Sequence, residues 1–169
     1  FIIDGIAVGV SICEDIWYED GPAPAQAYSG AEVLVNISAS PYHLDKGSSR
    51  EKILGTRASD NVVIVVYNNL VGGQDELVFD GNSLVIDEKG QLIARGKQFD
   101  EDLVVVDLDV EAVFRARLDN PGWQKAAALP QEFPWRRRKI MVSEMPATAP
   151  KAPLSPHQIK VLSLSEEVY

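Results

Sequence analysis

The chain has very little cysteine, with Cys13 the only one among 169 residues. A single cysteine cannot form an internal disulfide, so a reducing compartment, the cytoplasm, is the expected location. Long hydrophobic runs are also absent, because no stretch reaches the roughly 20 consecutive apolar residues that span a bilayer. We therefore expect neither a disulfide-stabilised secreted domain nor a membrane protein.

Basic residues are scarce in most of the chain, and the net charge is −9. Residues 1–134 contain 10 basic and 22 acidic residues, whereas residues 135–169 contain 6 basic and 3 acidic ones. An acidic body argues against nucleic-acid binding, and the basic run at 135–139 is too short to reverse that. We interpret this run as a solvated or interface segment and expect no nucleic-acid partner.

The apolar residues, 46% of the chain, suffice for the core of one domain, or of one domain plus an appendage. Apolar runs at 6–12, 32–37 and 62–67 predict three buried strands. The patterns at 22–29 and 48–61 predict a helix between each pair of strands. This β-α-β-α-β order implies parallel strands joined by right-handed crossovers, which is an α/β fold.

The remaining segments have a different character. Residues 70–81 are rich in glycine and acidic residues and are predicted to form a loop. Segments 83–87 and 91–95 flank Glu-Lys-Gly and predict an antiparallel hairpin. Residues 103–109 predict a last strand, and 110–117 predict a short helix.

Both ends have features expected of a piece of a longer protein. Asp4-Gly5 is a hairpin turn signal, yet only three residues precede it. Residues 146–156 contain four prolines and are interpreted as a linker. Ser163 and Glu166 have the spacing of a capping box, which predicts that a helix begins there.

Cys13 follows directly after the first predicted strand. Glu14 and Asp15 come next, so the apolar run ends abruptly at polar positions. A thiol at the carboxyl end of a strand can act as a nucleophile directed into a crevice. A buried core cysteine that behaves as a small hydrophobe fits the spacing of this stretch equally well.

Three motifs, each at or just beyond the end of a predicted strand, together point to a known family. They read Ile-Cys-Glu-Asp, then Asn-Ile-Ser-Ala-Ser-Pro-Tyr, then Val-Gly-Gly-Gln-Asp-Glu-Leu-Val-Phe-Asp-Gly-Asn-Ser. Over roughly residues 6–110 the chain resembles the glutaminase domain of glutamine-dependent NAD synthetases. That domain is a branch of the nitrilase, or carbon–nitrogen hydrolase, superfamily.

The resemblance implies a nitrilase-like four-layer αββα sandwich. Residues 1–110 would be the C-terminal half of this domain, and 111–145 a helix and an extended interface segment. Residues 146–169 would be the linker and the start of a helix leading to a synthetase domain that this sequence lacks. The implied activity is glutamine hydrolysis, with the ammonia used in the ATP-dependent conversion of deamido-NAD to NAD. Glutamine, the synthetase domain and a homo-oligomer are the implied partners. ATP and Mg²⁺ would belong to the synthetase domain, so no cofactor is expected here.

The family's chemistry rests on a Glu-Lys-Cys triad, in which Cys13 matches the nucleophile. The thiol would attack the glutamine carboxamide, release ammonia and leave a γ-glutamyl thioester for water to split. The backbone N–H of Glu14 matches an oxyanion donor, and the Glu14 side chain could touch the substrate amide. The triad's glutamate and lysine precede the cysteine in this family. Only twelve residues precede Cys13 here, so we expect neither in this chain and no activity from the chain alone.

Two further residues match positions that hold the substrate in this family, Ser40 and Lys46. A hydroxyl and a cation six residues apart on one loop suit the α-carboxylate of an amino acid. A helix-start serine and a solvated lysine are the alternative interpretation.

Several other interpretations stay open at this point. His43 could pair with Cys13 as a cysteine–histidine dyad, although this family uses no histidine base. The chain could also belong to another nitrilase-type amidase or carbamoylase, or be a non-catalytic scaffold with the same fold. Asp75, Glu76 and Asp80 lack metal-ligand spacing with histidine or cysteine. We interpret these three as loop and interface residues and expect no metal.

Overall fold

The computed structural model describes residues 1–129, 138–144, 152–155, 157 and 159–168. The strands are β1 (Ile2–Ile3), β2 (Ile6–Ile12), β3 (Val33–Ser38), β4 (Ile64–Asn69), β5 (Val71–Gln74), β6 (Leu77–Asp80), β7 (Leu84–Ile86) and β8 (Leu92–Arg95). The helices are α1 (Pro22–Tyr28), α2 (Lys46–Asn61), α3 (Val110–Leu118), α4 (Pro121–Ala128) and α5 (Leu164–Val168), with a 3₁₀ helix at Cys13–Ile16. No helix within the described residues is both long and apolar enough to cross a membrane.

Six of the strands form one sheet in the order β1-β2-β3-β4-β7-β8. Strands β2, β3 and β4 are parallel to one another, and α1 and α2 supply the two crossovers. The predicted β-α-β-α-β unit is therefore confirmed, as is the antiparallel β7–β8 hairpin. The carboxyl ends of β2, β3 and β4 lie side by side at one edge of the sheet.

The Asp4-Gly5 hairpin is also confirmed, because β1 pairs antiparallel with β2 across this turn. Asp4 and Gly5 have φ angles of 49° and 84°. Two successive residues with positive φ are what a two-residue hairpin turn requires, and Asp-Gly adopts them readily.

Two predictions were wrong. Residues 70–81 do not form an irregular loop, since β5 and β6 pair antiparallel over four residues each. Residues 103–109 do not form a strand. Their alternating side chains Val104, Val106 and Leu108 instead pack on one face of the six-stranded sheet. The alternation of apolar and polar residues therefore reflects packing of one side of this segment against the sheet, and the segment is not a strand of the sheet.

The sheet has an apolar cluster on each face. Helices α1 and α2 cover one face, where Ala23, Ala27, Leu54 and Ala58 pack against Leu34. On the opposite face α3 and the segment before it cover the amino-terminal half of the strands. Ile12 and Ile37, at the carboxyl ends of β2 and β3, remain exposed.

The C-terminal part is described only in places. Ser163 donates from its backbone N–H and its hydroxyl to Glu166 Oε2, at 2.8 and 2.7 Å, and α5 begins at the next residue. These hydrogen bonds, together with the charge of Lys160, lower the pKa of Glu166 to about 2. The predicted helix start is confirmed. Residues 146–151 and 156 of the predicted linker, and 135–137 of the basic run, lie outside the described residues.

Candidate active site

Cys13 lies at the carboxyl end of β2 and begins the 3₁₀ helix, half-buried. Its φ angle is 47°, a left-handed conformation that a residue other than glycine seldom adopts. The preceding residue is held by a hydrogen bond of 2.8 Å from Ile12 N to Asp15 Oδ2. Residues 12–15, the cysteine turn, therefore leave the sheet abruptly and present the thiol at the sheet edge.

The buried amide of Asn36 supports this turn from the neighbouring strand β3. Its Nδ2 donates to Ser11 Oγ at 2.9 Å and to the carbonyl oxygen of Cys13 at 3.3 Å. Its Oδ1 accepts from Ser38 Oγ at 2.6 Å, and the whole residue is 0% exposed. In the sequence, Asn36 is the first residue of the second motif, and no role of its own was predicted for it. An amide inside an otherwise apolar parallel strand was the available signal, because a buried amide needs partners.

Glu14 has its backbone and its side chain in different environments. The N–H of Glu14 lies in the first turn of the 3₁₀ helix, where backbone donors lack an intrahelical acceptor. Its exposed side chain accepts a hydrogen bond of 2.9 Å from the Tyr18 hydroxyl, which raises the pKa of Tyr18. The backbone donor is therefore available beside the thiol, whereas the carboxylate is engaged with Tyr18.

Lys46 is the first residue of α2, so the expectation that it shares one loop with Ser40 was wrong. Its Nζ donates to the carbonyl oxygen of Pro41 at 2.8 Å, which folds the 41–46 segment back on itself. Burial lowers the pKa of the Lys46 ammonium, and the positive charge of Arg50 lowers it further. Asp80 and Cys13 act on this pKa in the opposite direction, so Lys46 lies within electrostatic reach of the thiol.

Ser40 is 3% exposed, and both polar backbone atoms are hydrogen-bonded. Its N–H donates to Asn69 Oδ1 at 2.9 Å. Its carbonyl oxygen accepts from Asn69 Nδ2 at 3.4 Å and from Arg50 Nη2 at 3.5 Å. The position of Ser40 is thus set by side chains from β4 and α2.

Asp80 is not a loop residue, contrary to the sequence interpretation. It ends β6, is 1% exposed, and accepts two hydrogen bonds from the Arg50 guanidinium, at 2.9 and 3.1 Å. Asp75 and Glu76 lie in the exposed turn of the β5–β6 hairpin. The described residues include no group of three histidine, cysteine, aspartate or glutamate side chains able to hold a metal ion.

His43 is exposed, and neither its ring nor the Cys13 thiol forms a hydrogen bond with any described residue. The structure therefore brings Cys13 and Lys46 to the same edge of the sheet but does not join Cys13 and His43 as a dyad. Tyr67 lies in β4, two residues before the end of that strand. Its buried ring packs edge-on against Trp17, at 6.0 Å between centroids, and burial raises its pKa.

Comparison with known sequences places this arrangement in context. Residues 2–117 match the family described as "Carbon-nitrogen hydrolase". The chain is 52% identical over 125 residues to a glutamine-dependent NAD(+) synthetase from Aquifex aeolicus, a match that covers 74% of this chain and 22% of that protein. It is 46% identical over 120 residues to the Thermotoga maritima synthetase, covering 70% and 21%. The chain thus spans about a fifth of the length of these curated relatives.

Solved structures with the same fold include two informative cases. A glutamine-dependent NAD+ synthetase from Acinetobacter baumannii, in complex with ADP, superposes with a TM-score of 0.58 at 34% identity, over 60% of this chain and 19% of that one. A variant of the amidase from Nesterenkonia sp. AN1 gives a TM-score of 0.57 at 26% identity, over 74% and 45%. In that structure the acetamide moiety of fluoroacetamide is covalently added at the active-site cysteine.

Proposed function

The chain belongs to the carbon–nitrogen hydrolase family, and we propose that it is the cysteine-bearing part of a glutamine-dependent NAD synthetase. Its nitrilase-like α/β fold and its relatives support this assignment. The observation that carries the proposal is the half-buried Cys13 in a left-handed turn at the end of a parallel strand. A backbone N–H follows directly after it, and a lysine lies within electrostatic reach.

The proposed reaction begins with attack of the Cys13 thiolate on the amide carbon of glutamine. The carbonyl π-electrons move onto oxygen, and the N–H of Glu14 is one donor that stabilises the resulting oxyanion. The C–N bond then breaks, nitrogen takes a proton and leaves as ammonia, and a γ-glutamyl thioester remains. Water adds to the thioester, glutamate is released and the thiol is regenerated. The general base and the second oxyanion-stabilising group would come from the family's glutamate and lysine, for which this chain has no assigned residue.

Substrate recognition is assigned to Ser40 and Lys46. The Lys46 ammonium has three N–H donors and donates one to Pro41 O, so it can still pair with the α-carboxylate of glutamine. Ser40 would offer its hydroxyl to the same carboxylate. Both residues follow β3, so the amide end of a substrate held there can extend toward Cys13 at the end of β2.

The whole protein would contain further parts. Residues 1–110 are proposed as the C-terminal half of the glutaminase domain, 111–145 as a helix and interface segment, and 146–169 as the linker toward the synthetase part. ATP and Mg²⁺ are proposed to bind in that synthetase part, where ammonia converts deamido-NAD to NAD. A homo-oligomer is proposed for the whole protein. The cytoplasm is proposed as its location, because the Cys13 thiol must stay reduced to act as a nucleophile.

The test is the substitution Cys13→Ala in the complete protein, assayed with glutamine and with added ammonia as the nitrogen source. Glutamine-dependent NAD formation should fall to background, whereas ammonia-dependent formation should stay within about twofold of the unsubstituted protein. Equal loss with both nitrogen sources would contradict the proposed division of labour. Undiminished glutamine use would mean that Cys13 is not the nucleophile.

The similarity to an amidase supports a second candidate, a carbon–nitrogen hydrolase that acts on simple amides or carbamoyl compounds. Acetamide and glutamine should therefore be compared as substrates of the same complete protein. If the α-carboxylate is bound, kcat/KM for glutamine should be at least about 100-fold higher than kcat/KM for acetamide. This ratio corresponds to about 2.7 kcal/mol less transition-state stabilisation for acetamide. Similar values for the two amides would favour the simple amidase.

A further inference from the structure

Three buried side chains connect the two proposed substrate-binding residues, Ser40 and Lys46. This buried polar cluster consists of Arg50, Asn69 and Asp80, each less than 10% exposed. Its centre is the ion pair between Arg50 and Asp80, whose side chains are 0% and 2% exposed. The guanidinium reaches both carboxylate oxygens, so the relative orientation of the two groups is well defined.

The cluster is linked to Lys46 through α2. Lys46 and Arg50 are four residues apart on this helix, so their side chains project from the same face, one turn apart. Because Arg50 is tied to Asp80 at the end of β6, the first turn of α2 has a fixed rotation. The start of α2, where Lys46 lies and donates to Pro41 O, is thereby held in place.

The cluster is linked to Ser40 through its backbone. Arg50 Nη2 and Asn69 Nδ2 both donate to the carbonyl oxygen of Ser40, and Asn69 Oδ1 accepts from its N–H. Asn69 also donates to Asp80 Oδ1 at 3.4 Å and to Gly81 O at 2.9 Å. The ion pair therefore reaches both candidate substrate residues, because Arg50 donates to the Ser40 carbonyl oxygen and lies one helical turn from Lys46.

Stability alone is a weak reason for such a pair. Removing two charges from water costs about as much as their attraction returns, and apolar residues of similar size often do as well. Arg50 also places a positive charge beside Lys46, where it opposes protonation, and Asp80 offsets that effect. Because the charges of Arg50 and Asp80 balance, the pair can fix the positions of Ser40 and Lys46 while Lys46 stays protonated.

We propose that Arg50 and Asp80 are positioning residues that set Ser40 and Lys46 at the spacing needed to bind the α-carboxylate of glutamine. The proposal rests on the proposed function, since it assumes that glutamine is the substrate. It assigns neither residue to direct contact with the substrate. It makes the ion pair a determinant of glutamine affinity and not of bond breaking at Cys13.

The experiment uses the complete protein with the double substitution Arg50→Met and Asp80→Asn, which leaves no unpaired buried charge. A misplacement of about 1 Å can cost 100-fold, so KM for glutamine should rise about 10- to 100-fold, with a much smaller change in kcat. Ammonia-dependent synthesis should stay within about twofold. The rate at which iodoacetamide alkylates Cys13 should also be unchanged within about twofold.

A matched control is available on the same helix. Glu51 forms an ion pair with Arg95 on β8, and neither side chain is hydrogen-bonded to Ser40 or Lys46. The double substitution Glu51→Gln and Arg95→Met should therefore leave KM for glutamine within about twofold. An equal rise of KM in both double variants would overturn the proposal in favour of general loosening of α2.

A coupling measurement separates positioning from a purely structural role. In a Lys46→Ala background the contribution of the lysine is already lost and only that of Ser40 remains, so the Arg50 and Asp80 substitutions should raise KM less than they do in the unsubstituted protein. Fully additive effects would contradict the proposal, because residues that act through one another are non-additive.

Two remaining outcomes are also informative. If the Arg50→Met and Asp80→Asn variant does not fold, Arg50→Lys serves instead. It keeps the charge but loses the two-pronged geometry, and it should still raise KM for glutamine. If KM for glutamine is unchanged in a folded variant, the positioning role of Arg50 and Asp80 is overturned, whereas the proposed function is not. Failure of the proposed function is distinguishable from this, because the unsubstituted protein would then show no Cys13-dependent glutamine hydrolysis.

Discussion

Asn36 Nδ2 donates a 3.3 Å hydrogen bond to the carbonyl oxygen of Cys13, a residue 23 positions earlier in the chain. The same nitrogen donates to Ser11 Oγ at 2.9 Å. One buried amide on β3 therefore binds the last part of β2, at Ser11, and the cysteine turn, at Cys13. The left-handed conformation of Cys13 costs free energy, and this connection contributes to holding it.

Asn36→Ala should therefore destabilise the protein and disturb the thiol. It leaves the hydroxyls of Ser11 and Ser38 without their buried partner, which costs about 1–3 kcal/mol for an unsatisfied group. We expect a lower free energy of unfolding by that amount and a clear loss of kcat with glutamine. Chemical denaturation and glutamine kinetics of the complete protein check both. The control is Asn68→Ala, an exposed amide at the end of β4, which should change stability by less than about 0.5 kcal/mol.

Lys46→Ala tests the proposed contact with the α-carboxylate. A charge-assisted hydrogen bond is worth about 1.5–3 kcal/mol. At about 1.4 kcal/mol per tenfold, kcat/KM for glutamine should fall roughly 10- to 150-fold. Much of the loss should appear in KM, because the contact is far from the breaking C–N bond. Lys52→Ala, an exposed lysine on the same helix, is the control. If the two variants have the same kinetics as the unsubstituted protein, Lys46 does not bind the substrate.

The pH dependence of glutamine use should reveal the charge of Lys46. Burial and Arg50 lower the pKa of its ammonium below the usual 10.5. The positive charge is present below that lowered pKa and is lost as the pH rises through it, so kcat/KM for glutamine should fall on the alkaline side. Lys46→Arg keeps a positive charge at all accessible pH values. The titration of the glutamine α-amino group affects both proteins equally. Beyond it, kcat/KM of the Lys46→Arg variant should decline at a higher pH than kcat/KM of the unsubstituted protein. Identical alkaline limbs for the two proteins would mean that Lys46 does not titrate in this range.

His43→Ala distinguishes the two nucleophile schemes. The His43 ring is exposed and forms no hydrogen bond with any described residue, so kcat/KM for glutamine should change by less than about threefold. General acid–base catalysis contributes roughly 10²- to 10⁴-fold. A loss of that size, with ammonia-dependent synthesis intact, would restore the Cys13–His43 dyad.

Sequence by itself determined the parts of this protein that depend on local pattern. Apolar runs and helix formers predicted β2, β3, β4, α1 and α2 in the right order, and Asp4-Gly5 predicted the first hairpin. It also located Cys13 at the end of a strand. These features follow from periodicity and turn chemistry within about twenty residues, which a single sequence displays directly.

The tertiary structure decided which polar residues meet. Arg50 and Asp80 are 30 positions apart, and their pairing depends on how α2 packs beside the β5–β6 hairpin. Asp80 looked like a loop residue because its neighbours Asp75 and Glu76 are acidic and glycines precede them, yet the hairpin buries it. Residues 103–109 alternate like a strand but lie across the sheet face, since burial of one side of a segment requires only an apolar surface to pack on. Such contacts join residues distant in sequence, and their geometry exists only once the sheet and its helices are assembled.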